Sequence, residues 1–249
     1  MASTARKVAL VTAGSAGLGA AIARVLALEL GMSVTINYHS NADRATALVK
    51  ELQDTWASRN VSDAAPPVFH AIRADISKKS EIIRLVDETT AASGGRLDTV
   101  ISNVGWTKIR NFSDLEDGVD EDDWDRCFDS NVKAHLWLFH ASKKWLEESN
   151  ARDEGSAVFV STASIAGCKP SGSSLVRDKN GGIVRSRVCV ASSNKHDQPY
   201  AVTKAAQIHL IKSLAVISAP SIRVNCVSPG ILLTVCYPLI SGIFRPQVT

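Results

Sequence analysis

The sequence predicts an α/β protein built on a doubly wound parallel sheet, and three observations carry that prediction. Short apolar runs alternate with amphipathic stretches of helical length along most of the chain. The first run, residues 7–12, is apolar without the alternation of a half-exposed strand, the kind buried on both faces of a parallel sheet. That run passes directly into Ala13-Gly14-Ser15-Ala16-Gly17-Leu18-Gly19, a turn without bulk that opens a helical pattern.

Each element has its own signal. The helix after the glycine turn runs to Leu30 and ends at Gly31, a residue suited to a left-handed cap. A second strand is expected over residues 33–38, a helix over 41–56 and a third strand over 68–74. Asp75 or Ser77 is placed to cap the next helix, over residues 78–92. The fourth strand, residues 98–103, leads into Val104-Gly105. A long helical pattern follows over 122–148 with Asn131 in its middle, then a fifth strand over 156–161 just before Ser164, and a sixth over 222–227. The acidic concentration between Asp114 and Asp125 reads as a solvated loop entering a helix N-terminus, where carboxylates suit the dipole.

With 249 residues, 45% of them hydrophobic and 21% charged, the chain is long enough for one domain with a sizeable core, and residues 1–249 are read as that single domain. The formal net charge of +3 comes without a face-sized basic cluster, which argues against nucleic acid and against an anionic membrane surface as partner. No apolar run reaches the length of a membrane span, and the polar residues 1–7 predict no signal peptide. The five cysteines lack a two-residue spacing, and His135 and His140 miss the one-face spacing of a metal pair. No metal site and a reduced, cytoplasmic setting are expected.

Chemistry enters with Tyr200 and Lys204, four residues apart at the start of a helical pattern. That spacing puts both side chains on one helix face, about 5–6 Å apart at Cβ. An ammonium beside a phenol favours the phenolate, so the pair is expected to lower the tyrosine's pKa and let it act as a general acid or base. In open α/β sheets ligands bind beyond the carboxyl ends of strands, and Gly17, Asn103, Ser164 and the Tyr200 helix converge on that rim. The second strand ends in Asn37-Tyr38-His39-Ser40-Asn41, without a carboxylate, where a dinucleotide fold meets the adenosine ribose. An acidic residue there would bind a ribose 2′-hydroxyl and repel a 2′-phosphate, so NADP is favoured and NAD is the alternative.

Together these motifs resemble the short-chain dehydrogenase/reductase family over residues 7–234, apart from one interruption. The resemblance rests on Thr12 through Gly19, Asp75, Ser102-Asn103-Val104-Gly105, Asn131, Ser164, Tyr200 with Lys204, and Asn225-Cys226-Val227-Ser228-Pro229-Gly230 followed by Thr234. It implies a Rossmann-type three-layer fold and an NAD(P)-dependent oxidoreductase acting on a small carbonyl or alcohol. By the same resemblance Tyr200 protonates the carbonyl oxygen, Ser164 polarises it, Lys204 lowers the tyrosine's pKa and holds the nicotinamide ribose, and Asn131 orders a water in the proton relay. Gly17 and Gly19 would lie against the pyrophosphate, Asp75 near the adenine, Asn103 beside the adenine ribose and Thr234 at the nicotinamide carboxamide. Thr12, Gly14, Ser15, Leu18, Asn37, Tyr38, Ile76, Gly105, Pro229 and Gly230 complete the expected cofactor contacts, with Tyr200 and Lys204. A binding protein without turnover is the competing reading; such proteins typically lack the tyrosine and lysine that this chain keeps.

The chain also departs from the family. Ala13 stands where the first glycine is usual, a minor change if its φ is negative. Ser102 and Val104 replace an asparagine and an alanine, and Ala16 stands where NADP enzymes often carry an arginine. Residues 176–198 lengthen the interval between Ser164 and Tyr200, and removing them restores the family's spacing. Two readings of that segment are open: a retained intron, whose Val176-Arg177 start and Gln198 end fit GT and AG splice boundaries, or a substrate-binding loop. Little order and few core contacts are expected of it. Residues 235–249 are broken by Pro238, Gly242 and Pro246 and predict neither the covering helix nor the last strand that the family usually adds. An intron read through to its stop codon would account for that tail. The sixth strand is then an apolar edge, homo-oligomer formation is in doubt, and activity is expected below that of a longer form.

Overall fold

The computed structural model describes residues 6–59, 66–108, 115–168 and 198–230. Among these, β1 (Val8–Val11), β2 (Ser33–Tyr38), β3 (Phe69–Arg73), β4 (Thr99–Ser102), β5 (Val158–Thr162) and β6 (Arg223–Val227) run parallel in one sheet, in the order β3-β2-β1-β4-β5-β6. Between them lie α1 (Gly17–Arg24), α2 (Ala42–Arg59), α3 (Lys79–Ala92), α4 (Glu121–Phe128), α5 (Ala134–Arg152) and α6 (Gln198–Ser218). Strand order departs in opposite directions from β1, and that reversal opens a crevice at the carboxyl ends of β1 and β4.

Side chains alternate across the sheet, yet both faces are dry. Val8 and Leu10 join one apolar cluster with Ile82, Leu85, Leu138, Phe159 and Ile211, from α3, α5, β5 and α6. Ala9 and Val11 join the other, with Ala20, Ala23, Ile36, Leu48 and Leu52 from α1, β2 and α2. This is why β1 reads as a continuous apolar run. Phe139 meets Phe159 edge to face at 5.2 Å between ring centroids, fixing α5 on the sheet.

Several local expectations need correction. The helical pattern over 122–148 is not one α-helix: α4 and α5 are joined by a π-helical turn, Asp129–Lys133, and Asn131 lies within it. A second π-helical turn, Val25–Glu29, extends α1 before Gly31 turns the chain at φ +62°. Neither Asp75 nor Ser77 caps α3, whose N-cap is Lys78 without a side-chain bond. Instead Asp75 Oδ1 accepts from Ser77 N at 3.0 Å and Ser77 Oγ at 2.7 Å, closing a local turn. The acidic run behaves as expected where it is described. Asp120 caps α4 by accepting from Asp123 N, with Glu121, Asp122 and Asp123 in the first turn.

Residues 176–197 and 231–249 lie outside the described residues, and with them the expected looseness of the inserted segment and loss of the last strand. Gln198, the final residue of that segment, opens α6 and packs on Gly118, where a Cβ would fall 3.0 Å from its Cδ. Among the described residues no helix is long and apolar enough to cross a membrane.

Candidate active site

The glycine turn is built from its own packing before any ligand is considered. A Cβ on Gly19 would fall 2.3 Å from the Ala13 carbonyl oxygen, and one on Gly14 would fall 2.8 Å from Ile36 Cβ, so neither position admits a side chain. Thr12, fully buried, accepts from Asn103 N at 2.9 Å through Oγ1 and so fastens β1 to the end of β4. Ser15, Gly17 and Leu18 stand half-buried where α1 begins, and the N-cap Ala16 supplies no side-chain acceptor to the first helical N–H groups. Ala13 adopts φ +48°. The expectation of a negative φ is therefore wrong: alanine occupies a left-handed conformation that suits glycine.

Asn37 is held from within the fold. It is 2% exposed; its Oδ1 accepts from Ala13 N at 3.2 Å, and its Nδ2 faces the carbonyl oxygens of Tyr38, Ile72 and Ala74, the last at 3.0 Å. The amide ties the glycine turn to β3, and Asn37 also lines the cavity at this strand end. Tyr38 packs on the core, and the next residue, His39, is exposed. The cavity, of about 580 Å³, is bounded by His39, Asp75 and Ile76 on one side and by Asp122, Arg126 and Asp129 on the other. Burial opposes the charge of Asp75, but the two bonds from Ser77, with His39 and Lys78 close by, hold its carboxyl below the ordinary range.

A second cavity, about 260 Å³, adjoins the first at Val104, Gly105 and Trp106. Its walls carry Leu18, Asn103, Ser164, Tyr200, Lys204, Pro229 and Gly230. Ser164 caps a short turn, Ile165–Gly167, by accepting from Ala166 N, and Ile165 N donates to the Pro229 carbonyl at 3.1 Å. A Cβ on Gly167 would fall 2.6 Å from the Lys204 carbonyl carbon, so glycine lets α6 press against this turn. That approach brings Ser164 within hydrogen-bonding reach of the Tyr200 phenol despite their separation in sequence.

Lys204 is 3% exposed, its Nζ 5.6 Å from the centroid of the Tyr200 ring. Burial lowers its pKa to about 8, opposed by the thiols of Cys226 and Cys127. Burial also dominates at Tyr200 and raises its pKa, with the Ser164 hydrogen bond acting in the other direction and Cys127 adding to the rise. The spacing argument for a lowered tyrosine pKa thus fails in sign, because desolvation of the phenolate outweighs the hydrogen bond from Ser164. Asn131, fully buried, accepts from Trp106 N at 2.7 Å and donates to Trp106 O at 2.9 Å and Thr203 Oγ1 at 3.0 Å. Its amide braces the cavity wall against α6. Thr234 lies outside the described residues.

Sequence reasoning missed a buried polar group beneath Lys204, formed by Ser102, His135, Ser161 and Gln207, all fully buried. A signal was present: Gln207 is three residues from Lys204 and His135 four from Asn131, on the same helix faces.

Residues 7–176 match the family model described as short chain dehydrogenase, and residues 160–244 match one described as Enoyl-(Acyl carrier protein) reductase. The chain belongs to the short-chain dehydrogenase/reductase family. It is 34% identical over 233 residues to dehydrogenase/reductase SDR family member 4 of Homo sapiens, covering 92% of this chain and 67% of the relative. The structure of a short chain dehydrogenase from Burkholderia cenocepacia in complex with NADP is 30% identical, with TM-score 0.68 over 91% of this chain and 74% of that one. NADH-dependent reductase A1-R′ complexed with NAD is 25% identical, with TM-score 0.70 over 92% and 80%. Family membership makes the chain an oxidoreductase of nicotinamide type, and one neighbour carries each form of the cofactor.

Proposed function

We infer that this chain reduces a small carbonyl compound to an alcohol with NADPH, or runs the reverse, with Tyr200 as the general acid. The carrying observation is the meeting of the Tyr200 phenol and the Ser164 hydroxyl above a buried Lys204, at one end of a crevice whose other end is the glycine turn. The residues fit a dinucleotide: a Cβ on Gly105 would fall 3.3 Å from Lys204 Nζ, so the floor between the two cavities is kept clear for a ligand. A bound nicotinamide supplies the hydride.

The remaining work falls to the chain. Ser164 and Tyr200 converge on one oxygen; the serine orients and polarises it, and the phenol hands it a proton. A phenol whose pKa is raised by burial holds that proton throughout the neutral range, as a donor must. Lys204, with two of its three donors engaged by the protein, offers the third to a ribose hydroxyl and places positive charge near the forming phenolate. The absence of a carboxylate in residues 37–41 favours NADP, and exposed His39, which lines the same cavity as Asn37, is a side chain able to meet a 2′-phosphate.

The test is oxidation of NADPH and NADH by the purified chain against a panel of ketones and quinones, with Tyr200→Phe as control. Turnover lost on removal of the phenol supports the reading. Turnover equal in parent and variant would discard Tyr200 as the acid.

A further inference from the structure

The core beneath Lys204 is polar where packing alone would be served by leucine. Lys204 Nζ donates to the Thr162 carbonyl at 3.0 Å and to Gln207 Oε1 at 2.9 Å. An ammonium has donors only, so it dictates which way the Gln207 amide faces: oxygen toward the lysine, NH2 away. That NH2 meets Ser161 Oγ at 2.6 Å, Thr162 O at 3.1 Å and His135 Nε2 at 3.1 Å. His135 in turn places Nδ1 2.6 Å from Ser102 Oγ and 3.1 Å from Ser161 Oγ.

The cluster therefore spans β4, β5, α5 and α6, and every side chain in it is buried. Such a network fixes its members when all of them are satisfied. It contains no carboxylate. The titratable groups facing Lys204 are Tyr200 on α6, His135 on α5, Cys127 on α4 and Cys226 on β6. His135 is held neutral, since burial and the charge of Lys204 lower its pKa to about 3. The acceptors on the ammonium are then two neutral oxygens, one from backbone and one from Gln207.

We propose that Gln207 is a positioning residue for Lys204: its amide oxygen, aimed by Ser161 and neutral His135, holds the ammonium at the cavity floor and sets the alkaline limit of cofactor binding. The proposal rests on the reading that Lys204 grips the nicotinamide ribose. A hydrogen bond to the charged form favours that form, so loss of the oxygen makes Lys204 release its proton at lower pH. A carboxylate in the same place does the opposite.

The experiment follows NADPH binding to the full chain by cofactor fluorescence from about pH 7 to about pH 10.5, for the parent, Gln207→Met and Gln207→Glu. The parent is expected to lose affinity with a midpoint near the Lys204 pKa of about 8. Gln207→Met should move that midpoint down by about one unit, and Gln207→Glu should move it up by about one unit or more. A residue that merely fills space would change affinity by the same factor at every pH, and a midpoint unmoved in both variants overturns the proposal. If circular dichroism shows Gln207→Met unfolded at pH 7, the isosteric Gln207→Glu decides alone: an upward shift supports the proposal and no shift overturns it. A parent that binds NADPH with no alkaline limb refutes the grip of Lys204 itself, and Gln207 falls with it. That outcome is distinct from a limb that exists and fails to move.

Discussion

Replacing Ala13 by glycine is expected to stabilise the fold, and the size of the gain follows from one backbone angle. Ala13 sits at φ +48°, where an L-residue with a Cβ is disfavoured by about 1–2 kcal/mol. Its methyl group is exposed, so its removal costs no packing. The bond from Ala13 N to Asn37 Oδ1 and the neighbouring bond from Gly14 N to Asn37 O at 2.8 Å are backbone donations that glycine keeps. Against the gain stands the greater freedom of glycine in the unfolded chain, about 0.4–1 kcal/mol. The net is a stabilisation of about 0.5–1 kcal/mol, or a rise in Tm of about 1–4 °C for a domain of this size. Gly17 provides the mirror experiment in the same turn. At φ +53°, Gly17→Ala should destabilise by about 1 kcal/mol. Equilibrium urea unfolding of the parent and both variants, with unchanged m-values, measures the pair. A glycine variant no more stable than the parent would show that the turn does not hold Ala13 in the left-handed region.

Four further outcomes are expected. Tyr200→Phe should lower carbonyl reduction about 10²–10⁴-fold while NADPH affinity, read by fluorescence, stays near that of the parent. Asn37→Asp should destabilise the fold by about 3 kcal/mol in urea, because it sets a buried carboxylate against three carbonyl oxygens; exposed His39→Asp in the same cavity wall should weaken NADPH relative to NADH in dissociation constants without that cost. His135, with a folded pKa of about 3 against 6.5 when unfolded, binds its proton first in the unfolded chain. Stability is then whole above pH 6.5 and falls toward pH 3, by about 2 kcal/mol at pH 5 from this group alone, and His135→Gln should flatten that slope in urea melts.

Much of this was legible because the sheet is buried on both faces. Val8 through Val11 read as a strand for the same reason that all four are buried: the two apolar clusters claim alternate residues. Asn37 carried the same information in reverse. It lies in β2 beside Val34, Thr35 and Ile36, all buried, so an inward amide was the reading consistent with its strand. The left-handed turn at Ala13 could not be read, since alanine has no preference for that region and only closure of the turn on Asn37 imposes it. Nor could the π-helical turn at Asn131, which adds a residue to the helix without altering the hydrophobic spacing enough to announce it. The sign of the Tyr200 shift was hidden for a different reason. Spacing locates the ammonium, but burial decides the balance, and burial is a property of the assembled crevice.

That balance bears on direction. Burial raises the pKa of Tyr200 and lowers that of Lys204 to about 8, and near neutrality both groups remain protonated. A protonated phenol beneath a carbonyl is the starting state for reduction. Oxidation of an alcohol must start from the phenolate, which desolvation opposes and the Ser164 hydrogen bond favours. Under the proposed function, the same crevice that excludes water from the ammonium thus biases the tyrosine toward giving its proton away. On that reading Ser164 would have two separate effects, polarising the substrate oxygen in one direction and holding down the cost of the phenolate in both. Of these two effects, the second needs no substrate, because Ser164 already acts to lower the pKa of the Tyr200 phenol within the chain itself.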